Sequence, residues 1–393
     1  MNYRVPNTRM ASIPLAGGIR EILAKAESME REGRNIIHME IGRPDFDSPA
    51  CAKKAVIKAI ESGDVHYTDM AGTYDLRLAV AEKFKRDAGL DIDPNKEVII
   101  TAGAMEALLI SFLSILEPGD EVIIPTPFFA AYTDQLAISN AVVKPVPCSM
   151  ENGFRLQVAD LKAAITPKTR ILLLNTPNNP AGASLTRSDL EGIAAIAIEH
   201  DLLVISDECY EKFAYDSEHV SMASLPNMRE RTITVSAASK TFSMTGWRIG
   251  WTVMPEQLRR YALKCHQNVS TCANSFAQAG VAEALRHAWG DVDYMVGEYK
   301  KRRDLIFSRL SKIDGFEILR PDGAFYAFPR IKKLGMTSME LCTYLLEEAG
   351  VSTVPGQAFG MEDGYMRIAY CRPESEISEA MDRIAAAVAK LNR

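Results

Sequence analysis

The sequence predicts an α/β fold in which helices cover both faces of a mostly parallel sheet, with a second, smaller α+β domain beside it. Short apolar segments alternate with longer amphipathic ones through the middle of the chain, which is typical of strands buried beneath crossover helices. The chain has 393 residues, more than one compact core usually holds. From about residue 282 the pattern changes to a long polar helix, short strands and a closing amphipathic helix.

Each predicted element follows from its own residues. Apolar runs predict strands at 98–101, 121–125, 142–146, 171–174, 202–206 and 232–236. Longer amphipathic stretches predict helices at 104–116, 129–139, after Thr186, and at 376–391. Thr186 can cap its helix, and Asp189 favours the positive end of the same helix.

Composition excludes several classes of protein. The net charge is −6 and no long basic run is present, which argues against nucleic-acid binding. The longest strongly apolar stretch, residues 107–116, is too short to span a membrane, and residues 1–6 lack the apolar stretch of a signal peptide. The 7 cysteines form no Cys-x-x-Cys pair and the histidines are scattered, so we expect free thiols, no metal site and a cytoplasmic location.

The segment SKTFSMTGWRIG at residues 239–250 holds an amine and a permanent cation, Lys240 and Arg248. An aldehyde cofactor that carries a phosphate needs such a pair, because an amine forms a Schiff base and a guanidinium holds phosphate. Taken alone, the spacing is more typical of two surface cations. Its meaning therefore depends on the other motifs.

Those motifs lie at 42–46 (GRPDF), Tyr67, 175–180 (NTPNNP), 206–210 (SDECY) and 366–368 (MRI). With the lysine segment, they closely resemble the class I/II aminotransferases, which are pyridoxal-phosphate enzymes of fold type I. The resemblance covers nearly the whole chain in family order and is to the aspartate and aromatic aminotransferases. It implies a large cofactor-binding domain at 46–283 and a small domain made of 1–45 and 284–393.

Small or polar residues follow predicted strands, where ligands collect in an open α/β sheet. Gly103, Ala104 and Met105 open a helix, and their amides favour a phosphate, although this segment alone also fits a tight turn. Asp207 ends an apolar strand, where a carboxylate needs a positive partner such as a protonated pyridine nitrogen; capping of the next helix is the alternative. Tyr210 can offer its hydroxyl to the cofactor's phenolic oxygen.

The resemblance implies further roles. Ser239 is a cofactor contact, and Phe129 stacks on the pyridine ring, with a core phenylalanine as the alternative. Asn179 contacts the phenolic oxygen and the substrate carboxylate, and Gly42 borders the substrate. Arg367 holds the α-carboxylate of the substrate with two parallel hydrogen bonds, with a surface ion pair as the alternative.

Tyr67 implies an assembly. In the resembling family a tyrosine at this position reaches across a dimer interface to the phosphate of the neighbouring subunit. We therefore expect a homodimer with shared active sites.

Three positions depart from the family pattern. Ala237 stands where a phosphate-binding Ser or Gly is frequent, and Ala181 replaces the usual Thr or Ser after Asn-Pro. Met105 stands where some aspartate-preferring relatives have a lysine for the second carboxylate of the substrate. The last departure weakens an aspartate-specific reading and leaves neutral or aromatic donors open.

The resemblance implies transfer of the amino group of an L-amino acid to a 2-oxo acid, with 2-oxoglutarate as the expected acceptor. Lys240 is the expected general base, with Asp207 and Tyr210 as its catalytic partners. Elimination, replacement, decarboxylation and cyclisation of amino acids need the same motifs and stay open. A DNA-binding regulator is disfavoured by the acidic balance and by a resembling region that begins almost at Met1.

Overall fold

The computed structural model of the chain describes residues 7, 10, 11, 13, 17–332 and 334–391. Residues 1–6, where the sequence shows no signal-peptide pattern, lie outside this part. Across the described ranges, no helix is both long and apolar enough to cross a bilayer.

The strands fall into one large sheet and several small ones. In chain order they are β1 (Ile37–His38), β2 (Val98–Thr101), β3 (Glu121–Thr126), β4 (Val142–Pro147), β5 (Thr169–Asn175), β6 (Leu203–Asp207), β7 (Thr232–Ala237), β8 (Gly250–Val253), β9 (Phe316–Glu317), β10 (Tyr326–Ala327), β11 (Arg330–Ile331), β12 (Val351–Ser352), β13 (Val354–Pro355) and β14 (Met366–Ala369).

The helices follow the same order along the chain. They are α1 (Gly17–Arg31), α2 (Ala50–Glu61), α3 (Tyr74–Ala88), α4 (Ala104–Ile115), α5 (Ala131–Ile138), α6 (Val158–Ala164), α7 (Arg187–Glu199), α8 (Ala238–Thr241), α9 (Glu256–Val269), α10 (Ser275–His287), α11 (Trp289–Leu310), α12 (Ser338–Tyr344) and α13 (Glu374–Leu391).

The large sheet has seven strands in the order β2-β8-β7-β6-β5-β3-β4. Strand β8 runs antiparallel to both of its neighbours, and the other adjacent pairs are parallel. The α/β prediction with a mostly parallel sheet is therefore confirmed. The predicted strands are all present, with ends that differ by at most two residues, whereas the antiparallel strand β8 was not predicted.

The predicted helices are also present, with two points of detail. Thr186 and Asp189 form the reciprocal capping box at the start of α7. The helix predicted at 129–139 is shorter and begins at Ala131, so that Phe129 precedes it. Phe129 thereby lies in the loop after β3, at the carboxyl edge of the sheet.

The register of the parallel strands brings chemistry-bearing residues together. Asn175 at the end of β5 pairs with Asp207 at the end of β6. The next strand, β7, ends at Ala237 and leads directly into the short helix α8, which carries Lys240. The start of α4 follows β2 at the same edge. One edge of the sheet therefore collects side chains from four strands.

One cluster of buried apolar side chains joins α1, near the start of the described chain, to α13 at its end. Its buried side chains include Ile22 of α1, Tyr299 of α11 and Ile384 of α13. Strand β1 pairs with β12, and β10, β14 and β13 form an antiparallel sheet nearby. These contacts support the proposed small domain of 1–45 with 284–393, and its boundaries stay a prediction.

Candidate active site

A cavity of about 370 Å³ lies at the carboxyl edge of the large sheet. Residues from both ends of the chain close it, including Gly42 after β1 and Arg367 on β14. The structure brings most of the predicted site residues to this one cavity. Those that line it are Gly42, Ala104, Met105, Phe129, Asn179, Asp207, Tyr210, Ser239, Lys240, Arg248 and Arg367.

Lys240 lies on the single turn of α8 and points into the cavity. Its Nζ donates a hydrogen bond of 2.7 Å to the carbonyl oxygen of Gly42. Burial lowers the pKa of Lys240 below its ordinary value, and the nearby guanidinium groups of Arg367 and Arg248 act in the same direction. The neutral, nucleophilic amine is therefore more accessible here than on an exposed lysine.

Arg248 and the start of α4 form a cradle for an anion. The guanidinium of Arg248 donates to the carbonyl oxygens of Ala102 and Thr245, each at 3.1 Å. Gly103 has a φ of +82°, and a Cβ there would lie 2.4 Å from Nη2 of Arg248. Only glycine fits this position. The backbone N–H groups at the start of α4, beginning with that of Ala104, have no acceptor within the helix and are available to a ligand.

Asp207 is a buried carboxylate, with 6% of its surface exposed. Oδ2 accepts a hydrogen bond of 2.6 Å from the hydroxyl of Tyr132, and Oδ1 accepts one of 3.1 Å from the Cys209 amide. Within the described residues, no Lys, Arg or His nitrogen lies within 4.0 Å of this carboxylate. Burial raises the pKa of Asp207. A cation placed beside it would relieve this cost.

A line of hydrogen bonds crosses the cavity from Arg367 to Tyr326. Nη1 of Arg367 donates to Oδ1 of Asn179 at 3.0 Å, and the Asn179 amide donates to the hydroxyl of Tyr210 at 3.4 Å. The hydroxyl oxygens of Tyr210 and Tyr326 lie 2.9 Å apart. Burial raises the pKa of Tyr326 to about 12 and also raises that of Tyr210. Both phenols therefore keep their protons and can donate hydrogen bonds.

Arg367 is a buried cation, with 5% of its surface exposed. Its side chain lies between the rings of Tyr326 and Phe359, each centred 4.7 Å from Cζ. Its two acceptors are uncharged, the side-chain oxygen of Asn179 and the backbone carbonyl oxygen of Glu40. Its Nε has no hydrogen-bond partner among the described residues. In that same set, no carboxylate lies within 4.0 Å of it. The surface ion pair is excluded, and the arrangement suits an incoming carboxylate.

Phe129 belongs to the lining, whereas two other predicted residues, Gly103 and Tyr67, lie outside it. Phe129 is half-buried and makes an edge contact with Tyr132, with ring centres 5.5 Å apart. Gly103 supports Arg248 from behind the lining. Tyr67 does not line the cavity and is 87% exposed.

The family follows from a direct comparison with known proteins. The family model for aminotransferase class I and II matches residues 34–384. The chain belongs to the class I and II aminotransferases. Aromatic-amino-acid aminotransferase 2 of Thermococcus litoralis is 43% identical over 370 residues, covering 93% of this chain and 94% of that protein. The predicted family and enzyme class are confirmed.

Two further relatives agree. The aspartate aminotransferase of Pyrococcus abyssi is 44% identical over 355 residues, covering 89% of this chain and 91% of that one. The crystal structure of the aromatic aminotransferase from Pyrococcus horikoshii OT3 has a TM-score of 0.89 and 41% identity, covering 93% of this chain and 99% of that one. The similarity in sequence and in three dimensions therefore spans whole chains.

The class I and II aminotransferases are pyridoxal-phosphate enzymes, and the residues of this chain fit that cofactor. Asp207 is a buried carboxylate that lacks a cation, and the cofactor's ring nitrogen can supply one. The cradle of Gly103 and Arg248 suits the phosphate, and a Cβ at Gly103 would fill it. Lys240 provides an amine in the same cavity. Each functional group of the cofactor has a chemically matched partner.

Sequence reasoning missed part of this aminotransferase cavity. Tyr132 lies three positions after Phe129 in the predicted helix, and this spacing was the one sequence signal that could have linked Tyr132 to the predicted site. Tyr326 lies far along the chain from the other motifs and has no local signal. The remaining residues that line the cavity but were assigned no role are Glu40, Ile41, Leu108, Asn175, Cys209, Ala237 and Thr245.

Proposed function

We propose that this aminotransferase binds pyridoxal 5′-phosphate at Lys240 and moves the amino group of an L-amino acid to a 2-oxo acid, with 2-oxoglutarate as the acceptor. One observation carries the proposal. The same cavity holds an amine with a lowered pKa, and it holds a buried carboxylate and a buried guanidinium that have no oppositely charged side chain within 4.0 Å among the described residues. These are the three unsatisfied groups that an aldehyde cofactor and an amino acid would satisfy together.

The bound cofactor supplies an electron sink for the charge that develops when the α-proton of the amino acid leaves. Asp207 holds the proton on the ring nitrogen, because a carboxylate at this buried position favours a cation beside it. Tyr210 and Asn179 donate hydrogen bonds to the phenolic oxygen. The Tyr132 hydroxyl fixes the orientation of Asp207 through its hydrogen bond of 2.6 Å.

Arg367 holds the substrate's α-carboxylate, and Asn179, already bonded to Arg367, provides the next contact. Lys240 lines the same cavity, so its amine is available to a substrate held by Arg367. Its neutral amine takes the α-proton as general base and returns it as general acid. Because burial keeps the pKa of Lys240 low, the amine accepts and releases the proton at a modest cost.

The lining favours a neutral or aromatic amino donor. Among the described residues of the lining, the cations are Lys240, Arg248 and Arg367, and each has a role assigned above. Met105 stands where a lysine would meet a side-chain carboxylate, and Leu108 and Phe129 add apolar surface. A second carboxylate would therefore find no further cation in the described lining. The name of the Thermococcus litoralis relative, an aromatic-amino-acid aminotransferase, supports the same donor class.

The decisive experiment adds single amino acids, without any oxo acid, to the purified cofactor-loaded protein while absorbance is recorded. We expect phenylalanine or tyrosine to convert the cofactor's visible band into the stable band of its amino form, at lower concentration than aspartate does. Adding 2-oxoglutarate should then restore the first band, since the second half-reaction reverses the first.

Two outcomes would contradict this result. A band that changes briefly and returns, with release of ammonia or of a modified amino acid, would assign elimination, replacement or cyclisation instead. Aspartate acting at tenfold lower concentration than phenylalanine would overturn the proposed donor class while leaving amino transfer in place.

We also propose a homodimer in which Tyr67 reaches the phosphate cradle of the partner subunit. Tyr67 is 87% exposed, and Val65, Met70 and Tyr74 nearby also expose apolar surface. Apolar residues grouped in this way favour burial against another chain. Arg248 is exposed at the cavity as well, which leaves room for a hydroxyl from outside this chain.

The change Tyr67→Phe should weaken cofactor retention by at least about tenfold, because one hydrogen bond to a charged phosphate is lost. Equilibrium dialysis of the cofactor, with sedimentation over a dilution series, measures both quantities. The control is Tyr294→Phe, at a tyrosine that is also exposed but lies outside the cavity lining. A cofactor-loaded, fully active monomer would exclude the shared site.

A cytoplasmic location and a role in amino-acid metabolism stay predictions. The cysteines, all within the described ranges, are free thiols. This supports a reducing compartment.

A further inference from the structure

Glu106 is a buried carboxylate directly behind the phosphate cradle, and the proposed reaction gives it no role. It lies in the first turn of α4, after Ala104 and Met105, and is 7% exposed. A negative charge at a helix start is favourable. Glu106 is, however, also next to the loop that is proposed to hold the phosphate, which is an anion as well. A carboxylate cannot attract a phosphate, so any contribution of Glu106 to the cradle must be one of geometry.

The contacts of Glu106 show what that geometry is. Its Oε2 accepts the backbone N–H of Ala102. The carbonyl oxygen of the same residue, Ala102, accepts the Nη2 of Arg248 at 3.1 Å. Ala102 is therefore held at its amide by Glu106 and at its carbonyl by Arg248, immediately before Gly103. A rotation of this residue would move the guanidinium and the turn together.

Glu106 is itself held by two residues at the end of α9. His266 Nδ1 lies 2.8 Å from Oε1, and the Ser270 hydroxyl donates to the same oxygen. His266 is fully buried and Ser270 is half-buried. Burial alone would raise the pKa of Glu106, but hydrogen bonds from His266, Ala102 and Ser270 outweigh it and the pKa lies below its ordinary value. The carboxylate is an anion that accepts three donors.

We propose that Glu106 is a positioning residue for the phosphate cradle, holding Ala102 so that Arg248 and the first amides of α4 face the phosphate. His266 and Ser270 keep Glu106 in this orientation. The inference rests on the proposed cofactor site. It adds a buried element, from α4 and α9, that acts through the backbone of the cradle and touches neither cofactor nor substrate.

The test compares two ligands that differ only in the phosphate. Cofactor-free protein is titrated with pyridoxal 5′-phosphate and, separately, with pyridoxal. The dissociation constant for pyridoxal is divided by that for pyridoxal 5′-phosphate, so that a larger ratio means a stronger preference for the phosphorylated ligand. The variant Glu106→Met keeps the length and helix preference of the side chain but removes every acceptor. We expect the preference for the phosphorylated ligand to fall about tenfold, the effect of losing well-placed charged hydrogen bonds, with pyridoxal binding unchanged.

Two other variants keep the result interpretable. Glu117→Met makes the same substitution just beyond the end of α4, at an exposed glutamate, and should leave the ratio unchanged. Ser270→Ala removes one hydrogen bond to Oε1 and should lower the ratio by about threefold. It tests the same network if Glu106→Met does not fold.

The outcomes separate this inference from the proposed function. A wild-type protein that binds both ligands equally well would overturn the phosphate cradle itself. A wild-type preference that persists in Glu106→Met and Ser270→Ala would overturn the positioning role alone. Equal weakening of both ligands would also overturn it, because the change would then act on the whole site and not on the phosphate.

Discussion

Replacing Lys240 with alanine lowers the rate of amino transfer by at least about a thousandfold, because the variant lacks both the amine that holds the cofactor and the general base. The structure places no second amine there: within the described lining, the other nitrogenous cations are guanidinium groups. Arginine stays protonated at every accessible pH and cannot replace a base. Steady-state rates with phenylalanine and 2-oxoglutarate measure the loss.

A matched variant separates the charge of Lys240 from its basicity. Lys240→Arg keeps a cation near Gly42 but has no neutral amine, so it should be as inactive as Lys240→Ala. Borohydride treatment should add one cofactor mass to the wild-type protein and none to either variant. A rate within tenfold of wild type in either variant would remove Lys240 from the mechanism.

The pH dependence has a definite sign. Burial lowers the pKa of Lys240, so the amine loses its proton at a lower pH than an exposed lysine does. The wild-type rate should therefore rise with pH through this lowered pKa and level off above it. A rate that falls over that interval would contradict a base at Lys240.

The strands of the large sheet were predictable because most of them are short apolar segments, and this composition can be recognised without any knowledge of tertiary contacts. Residues 171–174 and 232–236 lie in buried strands of the central sheet. Strand β8 was not predicted because it begins at Gly250, two residues after Arg248, where the segment was interpreted only as a cofactor-binding motif. Its antiparallel pairing with β2 and β7 depends on long-range contacts that no local pattern records.

A charged residue at the end of an apolar strand, such as Asp207, is a signal that the sequence contains, whereas the role predicted for Asn179 came from the family resemblance. The site was not predictable where distant segments meet. Tyr326 reaches Tyr210 from β10, and the backbone of Glu40 reaches Arg367 from the segment after β1. Such contacts arise from tertiary packing, so sequence spacing contains no record of them.

The same limit applies to the environment of each group. The sequence shows that Asp207 is charged and follows an apolar strand. The structure adds that its partners are the Tyr132 hydroxyl and the Cys209 amide, and that burial raises its pKa. That combination is the reason for proposing Asp207 as the partner of a cationic ring.

The change Arg367→Lys should raise the KM for both the amino acid and the oxo acid by about 10- to 100-fold, and leave cofactor binding intact. A lysine ammonium is a point charge and cannot make two parallel hydrogen bonds to a carboxylate. It also lacks the planar guanidinium, whose Cζ lies 4.7 Å from the ring centres of both Tyr326 and Phe359. The loss corresponds to one charged hydrogen bond, about 1.5–3 kcal/mol.

Arg372→Lys is the matched control, since this arginine follows Arg367 closely in sequence, donates to the His38 carbonyl at 3.1 Å and lies outside the cavity lining. It should leave KM unchanged. Both variants should retain the cofactor to the same extent, because Arg367 makes no contact with the phosphate cradle. Unchanged substrate affinity in Arg367→Lys would contradict the assignment of Arg367 to the α-carboxylate of the substrate. Loss of cofactor together with substrate would mean that Arg367 supports the whole cavity through Asn179, and that the carboxylate is held elsewhere.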